Sequence, residues 1–210
     1  MAFYRDKVFP RVLNVLMNTK ETRKIRARVC AELEGEVVEI GFGTGLNLPY
    51  LPTAVTRLRV VEPSELGVQI AQDRIAASPV VVEIAGLDDQ SLPFDDDSAD
   101  AVLCTWSLCT IPDPVSAVCE IRRVLRPGAA FHFVEHGAAP DAAVRRWQDR
   151  LNGFEKRFAC GCNLNRDIPA LIREGGLRIT RLDRYYSPGE PKTFGATYEG
   201  IATAPLIADR

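Results

Sequence analysis

Blocks of apolar residues alternate along this chain with amphipathic blocks, a pattern that predicts strands and helices in turn. Short apolar runs predict five buried strands, near residues 37–40, 58–61, 80–84, 101–105 and 130–134. Longer amphipathic stretches predict helices at 65–77, 113–124, 141–158 and 168–174. Two last strands, 177–185 and 196–202, follow one another without a helix and should pair as a hairpin. The pattern predicts an α/β fold with a mostly parallel sheet.

A helical segment is predicted before the first strand, from residue 5 to about 33. Phe9, Val12, Leu13 and Leu16 recur there at helical spacing, with basic residues between them. Because this segment precedes the first strand, we expect it to pack over the site as a lid. A basic amphipathic segment also allows peripheral contact with a membrane surface, although its apolar positions suffice for packing on the domain.

The first strand ends in a run of alternating glycines, Gly41, Gly43 and Gly45. Glycine lets the chain turn sharply and approach a ligand closely, because no Cβ blocks the way. The carboxyl edge of a parallel sheet is also where open α/β folds hold their ligands. A dinucleotide fingerprint is disfavoured, since Leu46 stands where its third glycine would be. The turn alone remains compatible with a βα connection that holds no ligand.

Acidic residues follow the next two strands. Glu62 ends the second strand, at the spacing expected of a carboxylate that accepts hydrogen bonds from a ribose. Asp88 lies in the loop after the third strand, where an Asp can accept from the exocyclic amine of adenine. The simpler alternatives are a helix cap for Glu62 and an ordinary polar loop for Asp88.

Five segments in order resemble the motifs of the class I S-adenosylmethionine (SAM) methyltransferases. They are Glu39-Ile40-Gly41-Phe42-Gly43-Thr44-Gly45, Glu62, Asp88 with Leu92-Pro93-Phe94, residues 97–102 and residues 120–128. The resemblance covers about residues 36–136 and implies a Rossmann-like seven-stranded sheet with helices on both faces and the last strand antiparallel. The chain departs from the pattern at Phe42 and Ala129.

The resemblance implies SAM as the methyl donor and S-adenosylhomocysteine as the product. Trp106 follows the fourth strand, where its ring could lie against adenine or the sulfonium. The predicted cofactor contacts are Glu39, Gly41, Gly43, Thr44, Gly45, Asn47, Glu62, Pro63, Asp88, Asp89, Cys104 and Trp106.

Three further segments, 104–109, 133–136 and 161–166, are similar to a narrower branch, which contains the animal methyltransferase-like thiol S-methyltransferases and their bacterial relatives. The similarity implies a small thiol as methyl acceptor. The long apolar N-terminal anchor of the animal members is not matched here. An N- or O-nucleophile on a lipid-like, quinone-like or heterocyclic compound remains an alternative, as does a SAM-binding protein without catalysis.

A thiol reacts as its thiolate, so a base or a cationic neighbour helps methyl transfer. His136 is the candidate catalytic residue, since it follows the fifth strand at the carboxyl edge. Its alternative role is a hydrogen bond to backbone at a strand end. Four residues are candidate acceptor contacts: Ser107, Asn163, Arg166 and Tyr198. His132 lies within the strand and is interpreted as structural.

Composition and charge limit the classes of binding partner expected for this chain. The chain has 210 residues and a net charge of −2, which does not favour nucleic acid as a partner. No apolar stretch reaches the roughly 18 to 20 residues of a membrane span. Arg5, Lys7 and Arg11 interrupt any signal-peptide core, so the expected location is cytoplasmic.

The six cysteines suit a reducing compartment, and their spacing predicts no metal site. Cys104, Cys109 and Cys119 are interpreted as small buried hydrophobes. One domain is expected over 1–210, as a monomer or homodimer. Its parts would be the lid (1–35), a SAM-binding core (36–136), and acceptor-side helices with the C-terminal hairpin (137–210).

Overall fold

Seven strands and seven α-helices lie in the part of the chain that the computed structural model describes, residues 3–86 and 91–206. The strands are β1 Gly35–Ile40, β2 Val55–Val61, β3 Val81–Gly86, β4 Ala99–Thr105, β5 Leu125–His136, β6 Arg178–Tyr186 and β7 Ala196–Thr203. The helices are α1 Phe9–Leu16, α2 Lys20–Cys30, α3 Glu65–Ala77, α4 Pro114–Val124, α5 Ala142–Phe158, α6 Ile168–Glu174 and α7 Lys192–Gly195. A π-helical turn, Tyr4–Val8, and a 3₁₀ turn, Leu48–Tyr50, complete the set.

The strands form one sheet in the order β3-β2-β1-β4-β5-β7-β6. The first five are parallel, and β7 runs antiparallel to both β5 and β6. This confirms the predicted seven-stranded, mostly parallel sheet with an antiparallel last strand. The strand order reverses between β1 and β4, so their carboxyl ends open the crevice in which such sheets bind ligands.

Two apolar clusters pack on the opposite faces of the sheet. One joins Phe131 and Phe133 of β5 to Ile121 of α4 and Ile168 of α6. The other joins β1 and β2 to helices that include α2 and α3. Helices therefore cover both faces, as predicted, and residues such as Val38 and Val60 are fully buried.

Arg126-Pro127-Gly128, a sequence typical of a turn, lies inside β5. The strand starts at Leu125, and its pairing with β4 shifts register before Ala130. Such an irregularity accommodates a proline, which cannot donate to the ladder. Gly128 has a φ of 78°, so the backbone does turn locally here, but it forms a bulge-like irregularity within the strand and does not end it.

The N-terminal segment is not the continuous helix predicted for residues 5–33. It breaks at Met17–Thr19, where the Thr19 side chain caps α2 by accepting from the Thr22 N–H at 3.2 Å. The expected packing of α1 is also only half right, since Val12 and Leu16 are 38% and 61% exposed. Within residues 3–86 and 91–206, no helix combines the length and apolarity that crossing a bilayer requires.

Candidate active site

The glycine turn lies at the carboxyl end of β1, and its three glycines adopt left-handed backbone. Their φ angles are 70° at Gly41, 59° at Gly43 and 73° at Gly45. A Cβ on Gly41 would stand 1.9 Å from the Ser107 hydroxyl, so that position is closed by packing. A Cβ on Gly43 would meet only the Gly41 carbonyl, at 3.9 Å. The space above Gly43 is therefore left open by the described protein atoms.

Glu62 stands at the end of β2 and braces this turn. One carboxylate oxygen accepts from the Gly43 N–H at 2.5 Å, and the other accepts from the Ser64 N–H at 2.8 Å. Ser64 in turn caps α3 by accepting from the Gly67 N–H. The next residue, Pro63, is exposed beside the crevice. The buried carboxylate thus lies against the glycine turn, at the place predicted for a ribose acceptor.

Beneath the turn lies a buried polar network. Asn47 donates to Glu39 at 2.7 Å and to Thr105 at 3.0 Å. Its carbonyl oxygen accepts from Arg26 of α2, at 2.6 Å, and Arg26 also donates to Thr105 at 3.2 Å. Burial raises the pKa of Glu39 to about 8, against the opposing effects of Asn47 and Arg26, and burial lowers the pKa of Arg26 to about 10.

This network leaves one acceptor without a partner. Among the described residues, the second carboxylate oxygen of Glu39 is fully buried and receives no hydrogen bond. Such an orphaned oxygen is costly unless a ligand donor completes it. SAM carries an ammonium group and ribose hydroxyls as donors, so Glu39, Glu62 and the open space at Gly43 fit this cofactor.

The rim of the turn contacts the N-terminal segment. The Thr44 hydroxyl donates to the Asn14 side chain of α1 at 2.9 Å, and Arg74 donates to the Thr44 carbonyl at 2.8 Å. Helix α1 therefore touches the predicted cofactor turn. Its role as a lid remains a prediction.

The predicted adenine side is only partly visible. Asp88 and Asp89 lie outside the described residues. The Cys104 thiol is fully buried and lies 3.4 Å from the Glu135 carboxylate, so this side chain faces the core. Trp106 has a φ of 54°, a strained value for a bulky side chain, and the Arg26 guanidinium stacks over its ring at 4.8 Å.

Glu135, which sequence reasoning did not select as a site residue, organises the segment after β4. Its buried carboxylate accepts from the backbone N–H groups of Ser107, Leu108 and Cys109, at 2.9 to 3.1 Å. Burial raises the pKa of Glu135, while these three hydrogen bonds act in the opposite direction. The only sequence signal was an acid at the end of an apolar strand.

His136 follows Glu135 and sits between an aromatic ring and a thiol. Its ring centroid lies 6.4 Å from that of Trp106, edge to face. Burial lowers the pKa of His136, but the interaction with Cys162 and the negative charge of Glu190 outweigh burial, so the pKa is raised. His136 is thus held toward its cationic form.

Cys162, which was not selected as a site residue from the sequence, is the neighbour that raises the pKa of His136 most. Its sulfur lies 3.6 Å from that of Cys109. The hydrogen bond with Cys109, together with His136 and the charge of Arg166, lowers the pKa of Cys162 against the effect of burial. Cys162 lies in the loop between α5 and α6, and the only sequence signal was the cysteine pair around Gly161.

The four predicted acceptor contacts lie in three places. Arg166 lies by this cluster and donates to the Leu108 carbonyl, and Asn163 donates to the Cys109 carbonyl at 3.1 Å. Ser107 instead packs against Gly41 of the cofactor turn. Tyr198 is buried in the core, and its hydroxyl donates to the Ala138 carbonyl at 2.5 Å. Its ring lies beside the Arg166 backbone, since a Cβ on Gly137 would stand 2.7 Å from the Tyr198 ring and 2.9 Å from the Arg166 carbonyl oxygen.

Known proteins share both the sequence pattern and the fold. Residues 38–133 match a family model described as a methyltransferase domain. The human thiol S-methyltransferases TMT1A and TMT1B are each 30% identical to the chain, over 72% and 76% of its length. The demethylmenaquinone methyltransferase of Clavibacter sepedonicus is 31% identical over 63% of the chain. The chain spans 64%, 70% and 54% of the lengths of these three relatives.

A solved structure supports the fold independently. A methyltransferase determined in complex with the Trm112 activator of Haloferax volcanii superposes with a TM-score of 0.72 at 21% identity, over 97% of this chain and 96% of that chain. At that identity the likeness concerns the fold. Together with the TMT1B match and the orphaned Glu39 oxygen beside the glycine turn, it leads to one conclusion: this chain belongs to the class I SAM-dependent methyltransferases.

Proposed function

We propose that this enzyme transfers the methyl group of SAM to a small-molecule thiol. The observation that carries the proposal is the position of His136 at the carboxyl end of β5, with its ring 6.4 Å from that of Trp106, and the raised pKa of His136 favours its cationic form. The names of the two human relatives support the same acceptor class. The Clavibacter relative is named for a quinone-type acceptor, so the acceptor must be decided by experiment.

The crevice binds and orients the donor. SAM supplies, when bound, an electrophilic methyl group on a sulfonium, so alignment with the acceptor is the main requirement. In this proposal Glu39 and Glu62 accept hydrogen bonds from the polar groups of SAM, and Gly43 leaves room for SAM to approach the protein backbone. Positioning of this kind supplies about 7 to 11 kcal/mol of the barrier reduction.

His136 would raise the reactive fraction of the acceptor. A free thiol has a pKa of about 8.5, so only a few per cent is thiolate at neutral pH. A neighbouring cation stabilises the thiolate and lowers that pKa. In this proposal His136, whose protonated form Cys162 favours, supplies this cation, and Arg166 adds a second positive charge beside the cluster.

The test is a pH profile of methyl transfer to a small thiol for the wild type and His136→Asn. We expect His136→Asn to lower kcat/KM by on the order of 100-fold at the acidic end. The loss should shrink as pH rises past the ordinary thiol pKa, because the acceptor then ionises unaided. His132→Asn is the matched control, since His132 lies in the same strand within the fold.

An unchanged profile in His136→Asn would remove its assigned role. The acceptor is decided in parallel with a panel of thiols, phenols, amines and quinols. Turnover of a quinol or an amine with no thiol turnover would overturn the thiol proposal. Binding of SAM without turnover of any acceptor would favour a cofactor-binding protein instead.

A further inference from the structure

Two cysteines from distant parts of the chain meet beside the proposed acceptor site. Cys109 lies after β4 and Cys162 lies between α5 and α6, yet their sulfur atoms are 3.6 Å apart. A disulfide requires about 2.05 Å, so an approach of roughly 1.5 Å would close the bond. Both thiols are free in the structure.

The backbone holds the two cysteines in register. The N–H of Asn163 donates to the Cys109 carbonyl at 2.9 Å, and the Asn163 side chain donates to the same carbonyl at 3.1 Å. That side chain also donates to the Gly161 carbonyl at 2.8 Å. The loop of Cys162 is thereby fastened to Cys109 itself, which limits how far the sulfurs can separate.

The two sulfurs are chemically unequal. Cys162 is 8% exposed and Cys109 is 2% exposed. The hydrogen bond between them lowers the pKa of Cys162 and raises the pKa of Cys109, and His136 favours the Cys162 thiolate further. Since the thiolate is the nucleophile in thiol–disulfide exchange, Cys162 is the attacking group and Cys109 the resolving group.

We propose that Cys109 and Cys162 form a redox-active dithiol that a low-molecular-weight disulfide converts into an intramolecular disulfide. The Cys162 thiolate attacks one sulfur of the small disulfide and expels a small thiolate, which leaves a mixed disulfide. Cys109 then attacks the Cys162 sulfur and expels the second small thiolate, and its proton passes to the departing sulfur. Two protein thiols are oxidised and one small disulfide is reduced to two thiols.

Closure would also switch off methyl transfer, a consequence that rests on the proposed function. The disulfide removes the Cys162 thiolate from His136, so burial of the imidazole is less fully offset and the pKa of His136 falls. The oxidised form of a small thiol acceptor would then inhibit the enzyme that methylates its reduced form.

The test uses the full chain, equilibrated with mixtures of reduced and oxidised glutathione, alkylated and mapped by peptide mass spectrometry. In the wild-type protein we expect a disulfide between Cys109 and Cys162. In Cys109→Ser a glutathione mixed disulfide should accumulate on Cys162, because the resolving thiol is missing. Cys162→Ser should show neither product, whereas Cys119→Ser is the control that retains the linkage.

The opposing results are equally specific. A wild-type protein in which both thiols alkylate fully under oxidising mixtures would overturn the proposal, as would a linkage that uses Cys160 instead. Methyl-transfer rate is measured separately and should fall on the order of 100-fold on oxidation. A linkage with unchanged turnover would refute only the switch, and absent turnover in the reduced enzyme would refute the proposed function while the linkage stands.

Discussion

At the scale of single residues, two glycines of the same turn, both in left-handed backbone, have different roles. Gly41 is required because the Ser107 side chain occupies the place of its Cβ, which is a packing constraint. Gly43 has open space there, so its lack of a side chain matters for what enters the crevice. The pattern of alternating glycines predicts the turn, but only the neighbours tell the two roles apart.

Gly43→Ala should therefore lose cofactor binding more than stability. Left-handed backbone costs an alanine about 1 to 2 kcal/mol, and the new methyl group would fill the space above the turn. We expect SAM affinity to fall at least about tenfold, equivalent to 1.4 kcal/mol or more. Calorimetric titration with SAM and urea unfolding measure the two effects.

Gly189→Ala is the matched control for Gly43→Ala. Gly189 has a φ of 84°, and a Cβ there would meet nothing within 4 Å. It carries the same kind of strain in a loop between β6 and α7, so stability should fall similarly while SAM affinity holds. Equal SAM affinity in both variants would show that Gly43 does not face the cofactor.

Residue-level prediction succeeded where the signal is local and stopped where the contact is long-range. Glu62 and the glycine turn are separated by one strand connection, so their spacing carries information. Cys109 and Cys162 are joined only through the packing of α5 and its following loop. No periodicity or spacing could place those two sulfurs together.

At the scale of elements, α2 does more than cover the sheet. Its buried face carries Ile25, Val29 and Cys30, and Arg26 lies on the same side. A basic residue on an apolar helix face was visible in the sequence and was not singled out. Its partners, Asn47 and Thr105, lie in other elements, so only the assembled fold shows that a helix from the N-terminal segment supplies the floor of the site.

Arg26→Leu should destabilise the fold by about 2 kcal/mol, because the buried carbonyl oxygen of Asn47 loses its donor. Arg23→Leu is the control on the same helix. Arg23 is exposed and bonds only locally, to Asn18, so its loss should stay within about 0.5 kcal/mol. Urea midpoints of both variants decide the matter, and equal midpoints would contradict the structural role of Arg26.

At the scale of the whole molecule, the last strand, β7, lies inside the sheet, between β5 and β6. Alternation of strands and helices predicts the parallel part and the final hairpin. The family resemblance implied an antiparallel last strand, but the insertion of β7 between β5 and β6 was not predicted, since no local pattern encodes which earlier strand a late strand joins. The structure pairs residues 197–203 of β7 with β5, so that Tyr198 and Thr197 lie opposite Glu135 and His136.

Gly200 shows how tightly this central position is packed. A Cβ there would stand 2.4 Å from the Arg181 carbonyl oxygen and 2.8 Å from the Phe133 ring. Gly200→Ala should therefore cost about 2 to 3 kcal/mol, measured as a lower urea midpoint. Gly153→Ala, in α5 with nothing within 4 Å of the new methyl, should instead stabilise by about 0.5 to 1 kcal/mol. If Gly200→Ala left the urea midpoint unchanged, β6 and β7 could move apart at little cost in free energy of unfolding.

The central place of β7 has a consequence for how the protein is made. While the ribosome is still translating β6, the edge of β5 that carries Glu135 and His136 has no neighbour on that side. The sheet can close only after residue 203 has emerged, so a nascent chain stalled earlier would expose that edge to other chains. Synthesis of β7 would therefore set the earliest point at which the nascent chain can fold into active enzyme.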